Sequence, residues 1–175
     1  MLETFLAWVR NTRGELTQAG VEVPVDCVLP ARSEDERPVR IRGRIDRLER
    51  DEFGRFVIVD VKTGKNPISK QAAADHAQLA TYQVAAASGA LDPEGEPGGA
   101  RLVYVAKPHT KEGATQRMQD PLDAAALDSW RDTIHQAAAA TRGPSYLAMR
   151  NDGCRHCAVA GCCPVQDAGR QVTDE

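Results

Sequence analysis

Two apolar segments with strand-like sequence, residues 38–50 and 55–62, constrain the fold more than any other part of the chain. The sequence Asp-Glu-Phe-Gly at 51–54 lies between them and predicts the turn of a β-hairpin. Asp46 in the first segment and Asp60 in the second each stand between apolar residues. Because a charge in such surroundings is costly unless a partner compensates it, the hairpin predicts a charged site built into a sheet.

The alternation of side chains along a strand places these charges relative to one another. Asp60 and Lys62 share one face of their strand, while the valines of that strand lie on the other, expected core, face. A hairpin symmetric about its turn places Asp46 directly opposite Asp60. Like charges in direct opposition destabilise a sheet, so this arrangement needs a cation. The alternative is a solvent-facing hairpin in which the aspartates pair with Arg44 or Arg47.

A divalent metal ion between the two aspartates is the simplest such cation. Mg²⁺ takes oxygen ligands, keeps several waters and needs only one or two carboxylates plus a substrate phosphate. The expected ligands are therefore Asp46 and Asp60, with the backbone carbonyl of Val61 as a third. Lys62 is the expected catalytic cation, because an ammonium group there would orient the attacking water or stabilise the transition state of phosphodiester hydrolysis.

The remaining patterns predict an α/β fold, an α+β sandwich in which a central mixed β-sheet is flanked by helices. The expected helices are 2–19, ended by Gly20, then 69–88, begun by Ser69 and ended by Gly89, and 121–140. The other expected strands are 21–29, 101–106 and 114–119, with a loop at 92–99. The chain is expected to form one domain over 1–175, with an irregular, cysteine-rich tail at 143–175.

Composition excludes several classes of protein. With 42% hydrophobic and 27% charged residues and a net charge of −3, the chain is an ordinary globular protein that does not coat nucleic acid by bulk charge. Residues 37–70 nevertheless hold ten basic and five acidic residues, a balance that suits a polyanion. No apolar run is long enough to span a membrane, and residues 1–10 read as an amphipathic helix and not a signal peptide. A cytoplasmic protein is expected.

The motifs together resemble those of a known family. The sequence Gly-Arg-Ile-Asp-Arg at 43–47, followed by Val-Asp-Val-Lys-Thr-Gly-Lys at 59–65, is similar to motifs II and III of the RecB-type branch of the PD-(D/E)xK nucleases. Gln78 and Tyr82, four residues apart on one helix face, resemble the additional Gln-x-x-x-Tyr motif of that branch. The resemblance implies a restriction-endonuclease-like fold. It also implies that Gln78 and Tyr82 contact DNA or support the catalytic residues. Lys65 and His76 are further candidates for phosphate contact.

Four of the five cysteines lie within ten residues of the tail, a cluster that suggests metal ligation in a reducing compartment. The spacing Cys-x2-Cys-x5-Cys of Cys154, Cys157 and Cys163 leaves zinc as one reading, although a second Cys-x-x-Cys pair is missing. The resemblance implies a [4Fe–4S] cluster on these three cysteines, with a fourth ligand outside this chain. Cys162 would then be a spare neighbour, and Cys27 reads as a small buried hydrophobe.

The resemblance also defines the expected function and partners. Residues 1–20 lack the motif I histidine of the branch, and the fourth cysteine of its cluster is missing at the same end. Both absences suggest a C-terminal fragment of a larger protein, most similar to the nuclease module of the RecB, AddAB or AdnAB helicase-nucleases. Its implied activity is Mg²⁺- or Mn²⁺-dependent digestion of single-stranded DNA during double-strand-break repair, as an exonuclease. Its implied partners are a helicase domain of the same parent and a partner helicase-nuclease subunit. The alternatives are a free-standing RecB-like exonuclease, a catalytically inactive DNA-binding or structural module, and a zinc-ribbon module.

Overall fold

A five-stranded mixed sheet in the order β1-β2-β3-β4-β5 organises the chain. The computed structural model describes residues 1–93, 95–143 and 148–167. Two compact units, Met1–His135 and Gln136–Glu175, divide the chain, and each is described by itself. The parts of the expected tail at 144–147 and 168–175, and residue 94 of the expected loop, lie outside the described residues.

The sheet and its helices belong to the first unit, apart from the end of the last helix. Only the β3–β4 pair is parallel, and the other neighbouring pairs are antiparallel. The expected mixed sheet flanked by helices is therefore confirmed. The elements are α1 (Leu2–Thr12), β1 (Thr17–Leu29), β2 (Val39–Arg50), β3 (Phe56–Lys62), α2 (Lys70–Ala74), α3 (Ala77–Ala87), β4 (Pro97–His109), β5 (Gly113–Gln119) and α4 (Ala124–Ala140).

The hairpin of β2 and β3 has the predicted register. Arg50 pairs with Phe56 and Arg47 with Val59, as symmetry about the turn requires. Gly54 closes the turn with φ of 79°, a conformation that favours glycine. The β2–β3 pairing ends at Arg47 and Val59, whereas β3 continues beside β4 as far as Lys62. The two strands thus separate at the position where both carry an aspartate.

Strand β3 is buried on both faces. Val57 and Val59 pack with Trp8 of α1 in one apolar cluster. Phe56 and Ile58 belong to a second cluster on the opposite face, which includes residues of α3. The valine face is a core face, as expected, but the face that carries Asp60 is a core face as well. A helix layer on each side explains why this strand is apolar throughout.

The first helix is shorter than predicted. It ends at Thr12, whose hydroxyl donates to the carbonyl oxygen of Trp8, and Glu15 and Leu16 bond back to the Thr12 carbonyl oxygen in a turn. The expected helix end at Gly20 is wrong because residues from Thr17 onward pair with β2, and Gly20 lies at a register shift within β1. Sheet pairing overrides helical spacing here.

The second predicted helix is two helices. Ser69 begins α2 by accepting a hydrogen bond from the Ala72 amide, and Gly89 follows α3 with φ of 78°, as predicted for both ends. Between them, Asp75 and His76 leave the helical conformation, with ψ of 20° and 110°. The break separates α2 from α3. Among the described residues, no helix is long and apolar enough to cross a membrane.

Candidate active site

Asp60 is the most buried carboxylate among the predicted site residues, with 7% of its surface exposed. It lies near the end of β3 on the face covered by α3. One carboxylate oxygen, Oδ1, accepts a hydrogen bond from Nε2 of Gln78 at 3.0 Å. The other oxygen, Oδ2, lies 2.7 Å from Nζ of Lys62. The predicted neighbours Asp60 and Lys62 therefore share a face and form an ion pair.

That ion pair leaves part of Asp60 unsatisfied. Oδ2 is buried and has no hydrogen-bond partner, because the Lys62 ammonium group is close but outside hydrogen-bonding geometry. The Lys62 charge offsets the cost of burying this oxygen, but a carboxylate oxygen has lone pairs for more than one partner. Lys62 itself keeps about a third of its side chain exposed, 33%. Oδ2 is thus an oxygen ligand that can bind a cation, next to an ammonium group that reaches solvent.

Asp46 lies on β2, next to the position where β2 and β3 separate. Its Oδ2 accepts a hydrogen bond of 2.8 Å from the backbone N–H of Val61, the residue that follows Asp60. The side chain is half-buried. The structure therefore brings Asp46 to the Asp60–Val61 segment, as the hairpin register predicts. The expected third ligand, the Val61 carbonyl oxygen, belongs to the same residue whose N–H this carboxylate binds.

The arginines of β2 have other partners. Arg44 forms an ion pair with Glu22 at 3.3 Å, and Arg47 forms a buried ion pair with Glu49 beneath α1. The alternative of a solvent-facing hairpin with aspartate–arginine pairs is wrong, because Asp60 is buried and Arg47 lies on the face covered by α1.

The donor set fits a magnesium or manganese ion held by few protein ligands. Among the described residues, no group of three or more histidine, cysteine or acidic side chains is placed to hold a metal ion. Two carboxylates nevertheless supply the hard oxygen donors that Mg²⁺ prefers, and waters and a substrate phosphate complete such sites. Asp46 and Asp60 would hold the ion, which fits the two-carboxylate arrangement predicted from the hairpin.

Gln78 and Tyr82 connect α3 to the two strands of the hairpin. Gln78 binds Asp60 on β3, while the Tyr82 hydroxyl donates to the carbonyl oxygen of Arg44 at 2.9 Å and accepts from its N–H at 3.3 Å on β2. Gly43 permits this approach, because a Cβ atom there would lie 2.7 Å from the Tyr82 hydroxyl oxygen. Both side chains thus brace the strands that carry the aspartates.

His76 lies at the N-terminus of α3, beside the same charges. Burial lowers the pKa of His76, the Lys62 charge lowers it further, and the Asp60 charge opposes them. Its Nδ1 is buried and has no hydrogen-bond partner. The imidazole is therefore neutral near neutral pH. Lys65, the other candidate for phosphate contact, is exposed in the loop after β3.

The cysteine tail belongs to the second unit. Short 3₁₀ turns occupy Asp152–His156 and Ala160–Cys162, and Sγ of Cys154 accepts a hydrogen bond from the Asn151 amide at 3.3 Å. Cys154, Cys157 and Cys163 are free thiols, and the described part of the tail does not place them as a ready ligand set.

Cys27 lies apart from that tail. It is half-buried in β1 and packs against the core, where burial raises the pKa of its thiol. That position suits the small hydrophobe expected from the sequence.

Comparisons with known proteins place these residues in a wider context. A sequence model of the PD-(D/E)XK nuclease superfamily matches residues 1–164. The chain is similar to a solved structure titled "Crystal structure of SSO0001", with 18% identity and a TM-score of 0.49 over 94% of this chain and 68% of the other. No curated protein matches the chain. The range matched by the family model contains every site residue described above.

Proposed function

The chain belongs to the PD-(D/E)XK nuclease superfamily, and we propose from this premise that it is a metal-dependent deoxyribonuclease of the RecB-type branch. Membership of the superfamily implies nuclease activity, and the predicted superfamily is confirmed. The RecB-type branch is supported by the sequence Gly-Arg-Ile-Asp-Arg at 43–47 and by the Gln-x-x-x-Tyr motif, whose two side chains brace the hairpin.

The observation that carries the proposal is the buried Oδ2 of Asp60, which has no hydrogen bond and lies 2.7 Å from the Lys62 ammonium nitrogen. Asp46, Asp60 and the Val61 carbonyl oxygen would hold Mg²⁺ or Mn²⁺. Such an ion, when bound, acidifies a water molecule and neutralises charge on the scissile phosphate. Lys62 would orient the attacking water or stabilise the negative charge that develops on the phosphoryl oxygens.

Single-stranded DNA is the proposed substrate, cut as an exonuclease during double-strand-break repair in the cytoplasm. The proposed partners are a helicase domain of the same parent protein and a partner helicase-nuclease subunit. This part of the proposal rests on the resemblance of the motifs to those of helicase-nucleases. The basic stretch at 37–70, which includes the whole hairpin, suits a polyanionic strand.

A [4Fe–4S] cluster on Cys154, Cys157 and Cys163, with zinc as the alternative metal, is proposed for the intact parent. Its support is the cysteine spacing and the N–H···S bond to Cys154, a contact that also suits a thiolate ligand. The described tail does not hold the three thiols together, so the cluster requires both the fourth ligand and a rearranged tail. No step of the hydrolysis is assigned to it.

Cleavage of end-labelled single-stranded DNA tests the proposed function. The purified chain is expected to release labelled products with Mg²⁺ or Mn²⁺ and to stop when EDTA removes the metal. Lys62→Ala is expected to lower the rate by about 10²- to 10³-fold, the usual effect of removing one group that stabilises transition-state charge. Lys107→Ala, an exposed lysine of β4, is the matched control. A wild-type chain that cuts nothing would favour the inactive DNA-binding or structural module.

A further inference from the structure

Two buried glutamines connect the helices of the site to the far edge of the sheet. Gln83 on α3 is fully buried and Gln119 at the end of β5 is 3% exposed. Nε2 of Gln83 donates to Oε1 of Gln119 at 3.0 Å. Buried side-chain amides are nearly always hydrogen-bonded. The other hydrogen bonds of Gln83 and Gln119 therefore show which parts of the fold the pair connects.

Gln119 binds the end of α2. Its Nε2 donates to the carbonyl oxygen of Ala74 at 2.8 Å, with those of His76 and Ala73 at 3.3 and 3.4 Å. The break between α2 and α3 removes helical partners from carbonyl groups in this segment. A side-chain amide from another strand therefore supplies the donor that a continuous helix would have supplied.

Gln83 completes the connection on the other side. Its Nε2 also donates to the carbonyl oxygen of Asp120 at 3.2 Å, and its Oε1 accepts from the Leu122 amide at 3.1 Å. The pair thus joins the break, α3 and the segment that leads to α4. Its polar atoms are bonded within the protein, which gives the connection a single preferred geometry.

The break decides where the site residues of α3 lie. Residues 70–87 are rich in alanine and would favour an unbroken helix on propensity alone. In a helix each residue is turned by about 100° from the one before it. If residues 75 and 76 became helical, the side chains that follow them would therefore point in different directions from those observed. With the break in place, Gln78 reaches Asp60 and His76 lies beside Lys62.

We propose that Gln119, together with Gln83, is a positioning residue of the active site. By holding the α2–α3 break open, it orients Gln78 on Asp60 and keeps His76 beside Lys62. This inference rests on the proposed function, because it assigns the pair a role in nuclease activity. It also makes a structural claim that is testable without any substrate.

Gln119→Met tests the inference, because methionine has similar length and no amide. Gln116→Met is the matched control: Gln116 lies on the same strand and accepts a hydrogen bond from Trp8 at 2.8 Å, which connects β5 to α1 on the opposite face. Gln119→Met loses its bonds to α2 and to Gln83 of α3, whereas Gln116→Met loses its bond to α1. Only Gln119→Met is expected to lower kcat on single-stranded DNA, by about 10- to 100-fold, with KM for DNA unchanged, because outer-shell supports have effects of this size.

A rescue variant keeps the test falsifiable if Gln119→Met folds poorly. Ala77 is the first residue of α3, a position that favours proline, and a proline there pushes residue 76 towards extended backbone. His76 already has φ of −77° and ψ of 110°. Ala77→Pro therefore restores the break without restoring the amide bonds, and it is expected to recover most of the kcat lost in Gln119→Met.

Hydrogen exchange of the amides at 78 and 79, which every variant retains because only residue 77 becomes proline and loses its N–H, separates this inference from the proposed function. In Gln119→Met these amides are expected to exchange more slowly than in Gln116→Met, because a continuous helix gives them carbonyl partners, and Ala77→Pro is expected to reverse the change. Equal or faster exchange, or equal kcat in the two methionine variants, would overturn the positioning role. A wild-type chain that cuts no DNA refutes the proposed function alone, and the exchange comparison still decides the structural claim.

Discussion

At the scale of single residues, the two oxygens of the Asp60 carboxylate have different partners. Oδ1 binds Gln78, and Oδ2 lies beside Lys62 without a hydrogen bond. A carboxylate fixed through one oxygen presents the other in a defined direction, which is how supporting residues orient metal ligands. Gln78 is therefore expected to act through Asp60 and to contribute little to DNA affinity.

Gln78→Met checks that expectation. Without the bond to Oδ1 the carboxylate is free to rotate, and kcat for single-stranded DNA is expected to fall by about 10- to 100-fold while KM changes little. Steady-state kinetics at saturating metal provide the measurement, and Gln71→Met on α2, whose side chain binds only Asp75, is the control. A rise in KM with kcat intact would instead make Gln78 a DNA contact.

The candidate site residues are easier to find in the sequence than the side chains that contact them. Asp46, Asp60 and Lys62 stand out because charges are rare in buried strands. The buried Gln83–Gln119 pair joins residues 36 positions apart, and no local pattern indicates which polar residues of a helix and a strand will meet. The unsatisfied Oδ2 of Asp60 likewise depends on the ammonium geometry of Lys62, which sequence spacing does not define.

At the scale of elements, the sequence predicted structure that depends on neighbouring residues better than structure that depends on distant ones. The β2–β3 hairpin was predicted with its register because the turn at 51–54 and the alternating strands are local and agree. The first helix was predicted too long because pairing of Thr17 with Arg50 spans most of two strands. The break between α2 and α3 was missed for the same reason, since its partner, Gln119, comes from β5.

The hairpin turn supplies a stability prediction. Asp51 accepts hydrogen bonds from the backbone N–H groups of Phe53 and Arg55 at 3.0 and 2.8 Å and from the Arg55 side chain at 2.8 Å. Burial, the largest single influence, raises the pKa of Asp51, but the bonds to Arg55 and Phe53 together outweigh it and the pKa is lowered. The ionised carboxylate therefore stabilises the folded state above the pKa of the unfolded chain, and that stability is lost as pH falls.

Asp51→Asn is expected to reduce the free energy of unfolding by about 1–2 kcal/mol near neutral pH. The asparagine oxygen can still accept the two backbone bonds, but the NH2 group in the place of Oδ2 cannot accept the bond from the Arg55 side chain. The difference from wild type is expected to shrink below about pH 4, where the wild-type carboxyl group also becomes protonated. Urea unfolding at several pH values gives the comparison, with Asp35→Asn in the exposed loop after β1 as the control. A difference that stays constant with pH would show that the charge contributes nothing.

At the scale of the whole molecule, the site and the cysteine tail belong to different compact units. The charge balance agrees with a site confined to one region, since residues 37–70 are basic while the chain as a whole carries −3. The proposed nuclease site lies in the first unit, and the cysteines of the proposed cluster lie in the second. The two proposals are separable by variants in each unit.

Cysteine variants of the protein test the proposed cluster. Cys154→Ser and Cys157→Ser are expected to lose bound iron and visible absorbance after anaerobic purification, because each removes a proposed thiolate ligand. Cys162→Ser, which changes the exposed neighbour, and Cys27→Ser, which changes a half-buried residue of β1, are expected to keep both. Bound zinc without colour in the wild type would show a zinc site in place of the cluster. Equal iron in all four variants would show that these cysteines do not bind it.

The central claim is that Asp46 and Asp60 hold the divalent ion at which Lys62 assists DNA cleavage. The most direct measurement is the rate of single-stranded DNA cleavage as a function of Mn²⁺ concentration for wild type, Asp60→Asn and Lys62→Ala. Asp60→Asn is expected to need far more Mn²⁺ for half-maximal rate, whereas Lys62→Ala is expected to saturate at the wild-type concentration with a much lower maximum. An unchanged Mn²⁺ requirement in Asp60→Asn would contradict the claim.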